Sequence, residues 1–252
     1  MKKNLANLAI AASAILFASC QKDAGGDLPA SSTDKVKTYT EDITTAGIGH
    51  SVTTYNLTYD DQNRLTSFVS ASDPGFNESF TYTSSNSYSS QLNSGSDFIK
   101  ETFYYTNDRI DSTFQYNESG DSSTEKFLYN GSGQLTKSFE YEYSKVTGSD
   151  LQNTTTYDSY DANGNLLTSH DTDGNADTYD YYADLVYIHP LIGPPLVPTV
   201  KHNLIKTHTL AVGGSHVGTV TFTYTFDSKN RLSTEKGEVD DGSVVIKTYT
   251  YY

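Results

Sequence analysis

Asp171, Asp173, Asn175 and Asp177 set oxygen-bearing side chains at alternate positions, the spacing with which a loop can wrap a calcium ion. That chemistry wants a glycine at the sixth position and a bidentate carboxylate at the twelfth. Here the glycine falls at Gly174 and the twelfth residue is Tyr182, so the quartet reads more simply as a polar hairpin tip. The six histidines are His50, His170, His189, His202, His208 and His216. His202 and His208 share strand parity, but at strand rise they stand about 20 Å apart, too far for one metal ion. No nucleophile elbow, HExxH helix, phosphate-binding loop or dinucleotide fingerprint is present. No pair among the many Asp and Glu is marked out for glycoside hydrolysis. The expectation is a non-enzymatic protein with no cofactor and no metal.

Cys20 is the only cysteine, so it cannot form an internal disulfide. Lys2 and Lys3 precede an apolar stretch from Leu5 to Phe17, which has the length of a secretory signal and is too short to span a bilayer. Phe17, Ala18, Ser19 and Cys20 resemble the lipobox of bacterial lipoproteins, in which the cysteine sulfur carries a diacylglycerol. Residues 1–19 are therefore expected to be cleaved, and Cys20 to anchor the mature chain to a membrane. Gln21 in place of Asp implies, by the same resemblance, release to the outer membrane, facing the periplasm or the cell surface. Residues 20–34 continue as a Gly-, Pro- and Ser-rich tether. A formal charge of −14 argues against nucleic acid or an anionic membrane face as a partner, because both reward clustered Lys and Arg.

The elements that must position any site come from one repeated unit. An aromatic residue, an Asx, two variable residues, Gly or Asn, one polar residue and then Leu recur at Tyr59 to Leu65, Tyr129 to Leu135, Tyr160 to Leu166 and Phe226 to Leu232. From Tyr59 through Tyr82 and Tyr105 to Tyr129 the steps are 23, 23 and 24 residues, which signals a repeat architecture. The Asx can cap a turn, and the Gly or Asn sits where positive φ is needed.

Flanking segments alternate with period two. Val220, Phe222, Tyr224 and Phe226 oppose Thr219, Thr221, Thr223 and Thr225, and Phe139, Tyr141 and Tyr143 oppose Glu140, Glu142 and Ser144. The reading is an aromatic inner face and a wet outer one. About fourteen to sixteen strands are expected over residues 35–252, in an all-β antiparallel meander that curls or closes into a barrel. The segments Ser70 to Gly75, Asn117 to Thr124, Lys145 to Asn153, His170 to Asp177 and Gly237 to Ser243 read as a longer-looped end suited to recognition.

Residues 183–202 interrupt the repeat. They carry Tyr187, Ile188, Pro190, Leu191, Ile192, Pro194, Pro195, Leu196 and Val197, with Pro198 beyond, and prolines resist ladder formation. This insert reads either as a plug over the barrel end or as a loop that docks a ligand or partner.

The Cys20 signal, the segments YDDQNRLTS, YDANGNLLTS and FDSKNRLSTE, and the closing KTYTYY together resemble a family of Gram-negative cell-envelope lipoproteins with a porin-like fold. The resemblance implies an architecture and an envelope location, and it assigns no catalytic residue. Two functions fit: a monomeric module holding an apolar or amphiphilic ligand in a Tyr-lined interior, or a structural or adhesive surface lipoprotein binding glycan or protein through its loops.

Overall fold

The computed structural model describes residues 35–84, 86–106, 109–143, 151–187 and 202–252. Sixteen strands run in chain order: β1 Val36–Thr45, β2 Gly49–Tyr59, β3 Leu65–Ser70, β4 Phe76–Ser84, β5 Ser87–Ser94, β6 Asp97–Thr106, β7 Arg109–Asn117 and β8 Ser122–Tyr129. The second half is β9 Leu135–Tyr143, β10 Leu151–Tyr160, β11 Leu166–Asp171, β12 Ala176–Tyr187, β13 His202–Val212, β14 Ser215–Phe226, β15 Leu232–Val239 and β16 Val244–Tyr251. Each strand pairs antiparallel with its sequence neighbours, and β16 pairs with β1, closing the barrel. No helix occurs among the described residues. Closure leaves no exposed sheet edge, which a flat meander of this length would have had.

The turns follow the sequence signal. Asp227 N–H donates to Arg231 O at 2.8 Å and Asn230 N–H to Asp227 O at 3.0 Å, while the Asp227 carboxylate takes the N–H groups of Lys229 and Arg231. Asn230 has φ 60° and Asn63 φ 64°, and Gly133 and Gly164 fill the same place at 88° and 87°. Side chains other than Gly, Asn and Asp are strained in that region.

Directly after each turn, one extra residue enters the ladder. Tyr129 pairs with Leu135 while Leu128 pairs with Lys137, which leaves Thr136 as a β-bulge, and the same shift follows Leu65, Leu166 and Leu232. The leucine therefore points inward, and the residues three and five positions later point inward as well. Strict alternation expected Phe139, Tyr141 and Tyr143 inside. The bulge reverses this: Ser138 and Glu140 face the interior, opposite Phe127 and Glu125 of β8, and Tyr143 is exposed outside. On β14 the expected faces hold, because Tyr224 lies opposite buried Glu235 while Thr225 pairs with Thr234 outside.

The end expected to carry long loops is built mostly of short turns. Asn117, Asp171 and Val239 each accept the N–H of a glycine three residues on, namely Gly120, Gly174 and Gly242. The strands also enter the Pro-rich interruption, since Val186 pairs with Asn203 and Tyr187 with His202. Ile188, Pro190, Leu191, Ile192, Pro194, Pro195, Leu196 and Val197 lie outside the described residues, as do Cys20 and the tether.

Candidate functional site: the two-sided barrel interior

At the end where Asp60, Asn130, Asp161 and Asp227 turn the chain, the repeat residues form a structural ring. The hydroxyls of Tyr82, Tyr160, Tyr224 and Tyr251 donate to the carbonyls of Leu65, Leu135, Ile205 and Leu232 at 2.8, 2.6, 2.9 and 2.8 Å, each joining the end region of one strand to the start region of the strand before it. The Arg231 guanidinium is fixed by Asp227 Oδ2 at 2.7 Å and lies 4.3 Å from the centroid of the Tyr251 ring. Arg64, Asp60 and Tyr82 repeat that stack. Held by the Arg231 backbone N–H against opposing desolvation, and then by the Arg231 side chain, the Asp227 carboxyl lies below the usual carboxylate range. The recurrence of the motif along the chain thus has a packing explanation.

Inside the barrel the wall divides. From β14 round to β4 it is aromatic: Tyr224, Tyr249, Tyr39, Tyr55, Phe68 and Phe80 follow one another, with Tyr39 and Tyr55 stacked at 5.8 Å and Tyr55 meeting Phe68 edge-on at 5.4 Å. The inward lysine on this side, Lys247, lies 3.4 Å from Glu235, and both side chains are buried. A second apolar cluster, Tyr88, Phe103, Tyr105 and Ile110, covers β5 to β7, with Tyr88 and Phe103 stacked at 4.5 Å. Both clusters follow the wall, and neither joins opposite sides of the barrel.

The arc that holds this second cluster also carries carboxylates. Glu101 lies opposite Ser90, Glu125 opposite Thr113 and Glu140 opposite Glu125, which carries carboxylates across β6, β8 and β9, while Glu78 stands on β4. The lysines of these strands, Lys100, Lys126 and Lys137, alternate onto the outer face. Burial pushes Glu101 up to about 7, with a Thr113 hydrogen bond opposing and Glu78 and Glu125 adding to the rise. Glu78 and Glu125 are raised by burial too, each partly offset by a serine hydroxyl. Glu140, raised by burial and by Glu142, is itself exposed although it points inward, so water reaches this side of the interior. β1 and β9 are half a turn apart in the ring of strands, so Tyr39 and Glu140 occupy opposing walls. Sequence reasoning missed these carboxylates; the Glu125 and Glu140 spacing would have disclosed them only with the bulge at Thr136 taken into account.

The calcium quartet does not converge. Asp171 Oδ1 accepts the N–H groups of Asp173 and Asn175, and its Oδ2 takes the Asn175 side-chain amide at 2.7 Å, so it caps the turn from Asp171 to Asn175. Asp177 faces the interior instead, with Oδ1 at 2.7 Å from His208 Nε2, and the His208 ring lies parallel to Tyr179 at 4.6 Å. No group of three or more metal-binding side chains occurs among the described residues.

No known family model matches the chain, and no curated protein sequence does. Solved structures do. A porin-like protein from Bacteroides uniformis aligns with a TM-score of 0.57 at 14% identity, covering 86% of this chain and 96% of that one. A porin-like protein from Bacteroides vulgatus aligns with a TM-score of 0.57 at 12% identity, covering 87% of this chain and 99% of the other. At such identities the likeness shows the fold: a porin-like, closed antiparallel barrel.

Proposed function

We propose that the chain is a lipid-anchored, extracytoplasmic binding module whose barrel holds an amphiphilic ligand, with Cys20 as the anchor. One observation carries the reading: the interior brings aromatic rings and inward carboxylates together, with Tyr39, Tyr55 and Phe68 on one side and Glu101, Glu125 and Glu140 on the other. Aromatic surface with a few placed polar groups is the common make-up of a small-molecule site. A barrel of this strand number is wide enough to leave room between its walls. The apolar body of a ligand would lie against Tyr39, Tyr55 and Phe68. Its polar head, a hydrogen-bond donor or a cation, would meet Glu101, Glu125 and Glu140. A glycan- or protein-binding role through long loops has less support, because the described turns at that end are short.

Solvent extraction of chain purified without its signal, followed by mass spectrometry, tests the interior. The expected result is an amphiphile with a donor or cationic head that is lost in Glu101→Gln/Glu125→Gln. Absence of any extractable or added amphiphile binding would refute it. Incorporation of labelled palmitate into the full chain, abolished by Cys20→Ser, tests the anchor separately.

A further inference from the structure

The bulge that turns glutamates inward on β9 also turns aromatic rings outward, and the neighbouring strands add to them. On the outer face of β6 to β9 stand Phe98, Tyr104, Phe114, Tyr116, Tyr141 and Tyr143. Tyr143 is 49% exposed, Tyr104 45% and Phe114 38%, and Leu128 beside them is 50% exposed. Phe98 meets Tyr116 edge-on at 5.9 Å, and Tyr116 lies 6.0 Å from Phe114, so these three rings form one connected strip. An apolar patch of this extent on a barrel wall marks an interaction surface.

Its charge runs against that of the whole chain. The ladder turns Glu101, Glu125 and Glu140 inward, while Lys100, Lys126 and Lys137 stand outside among the rings, with Lys126 Nζ 5.7 Å from the centroid of Tyr141. Asp111 is the one acid on the outward strand positions of this panel, and Glu118 lies at its edge, where it accepts the Phe98 N–H. The outer wall on the opposite side is different in kind. It is a threonine surface with Thr38 to Thr250, Thr40 to Thr54 and Thr225 to Thr234 contacts at 2.6, 2.9 and 2.7 Å.

We infer that this aromatic and lysine-bearing panel rests on a phosphate-bearing lipid surface, so that the barrel lies against the membrane on one side. Tyrosine rings suit the headgroup layer, apolar in body and polar at the tip. Lysines among them lay their stems along the rings and reach the phosphates. The panel covers β6 to β9, about a quarter of the circumference, and so fits lying on a bilayer rather than spanning it. The inference is independent of the ligand and of the Cys20 lipid.

The test uses the chain from Gln21 to Tyr252, which contains every strand of the closed barrel, mixed with vesicles of phosphatidylglycerol and phosphatidylcholine or of phosphatidylcholine alone. Co-sedimentation with the anionic vesicles is expected, falling with added salt. It should weaken roughly tenfold or more in Lys100→Glu/Lys126→Glu and in Tyr104→Ser/Phe114→Ser/Tyr143→Ser. Val52→Ser on the far wall should leave it unchanged, and circular dichroism should show the same sheet in all variants. No binding to anionic vesicles would overturn the inference, as would binding that survives both panel variants. So would a panel variant that changes only self-association, or only retention on a glycan matrix.

Discussion

The hydroxyl of Tyr129 donates to the carbonyl oxygen of Ile110 at 2.9 Å, joining the last residue of β8 to the start of β7, nineteen residues earlier in the chain. The bond bridges two adjacent hairpin turns where the strands have no further ladder to hold them. Its counterparts at Tyr82, Tyr160, Tyr181, Tyr224 and Tyr251 place such a bridge repeatedly around one rim. A period of about 23 residues follows from this, since each tyrosine must arrive one hairpin after its acceptor.

Tyr129→Phe keeps the ring and removes the bond, and should cost about 1 kcal/mol in urea unfolding. Tyr160→Phe lies in a different hairpin, so the double variant should lose close to the sum. A coupling energy well above experimental error would show that the rim acts as one unit.

Gly164→Ala should destabilise by about 1 kcal/mol or more, because φ is 87° there and alanine adopts that region poorly. Gly133→Ala should cost about as much, since φ is 88° there and the added methyl would meet only the far end of the Arg109 side chain, which can swing aside. Asn230→Gly, at φ 60°, should be close to neutral. Equal losses at all three positions would mean that backbone conformation is not what selects these residues.

Glu101 gives the barrel a pH dependence of definite sign. Its folded pKa is raised by burial from 4.5 to about 7, so between these values the folded state binds more protons than the unfolded one. Its contribution to stability is complete below about pH 4.5 and is lost as pH rises through 7. Each tenfold change in proton affinity between the two states is worth about 1.4 kcal/mol, and water reaching this side of the interior reduces the sum. Glu101→Gln should therefore raise stability at pH 8 by about 2 kcal/mol and leave it nearly unchanged at pH 4. Thermal melts at the two pH values measure this, and a variant equally stabilised at both would contradict it.

Lys247→Met leaves Glu235 buried without its cationic neighbour and should cost about 3 to 5 kcal/mol. Adding Glu235→Leu should recover most of that loss. Chemical unfolding of the three proteins decides; a double variant no more stable than the single would show that the pair is needed for more than mutual neutralisation.

The amino-acid sequence alone determined the all-β class, a strand number of about fourteen to sixteen, and the turns at Asp60, Asn130, Asp161 and Asp227, because Asx capping and positive φ act within a few residues of one another. It also determined the two faces of β14, where alternation runs unbroken from Val220 to Phe226. What only the tertiary structure decided is which side of the wall the residues after each bulge occupy. One added residue at Thr136 exchanges Phe139 and Tyr141 for Ser138 and Glu140 inside, an exchange that shows only in the pairing of β9 with β8. The acidic residues of the interior and the outer aromatic panel depend on partners far along the chain. Local spacing carries no information about which neighbour a strand will meet or in what register.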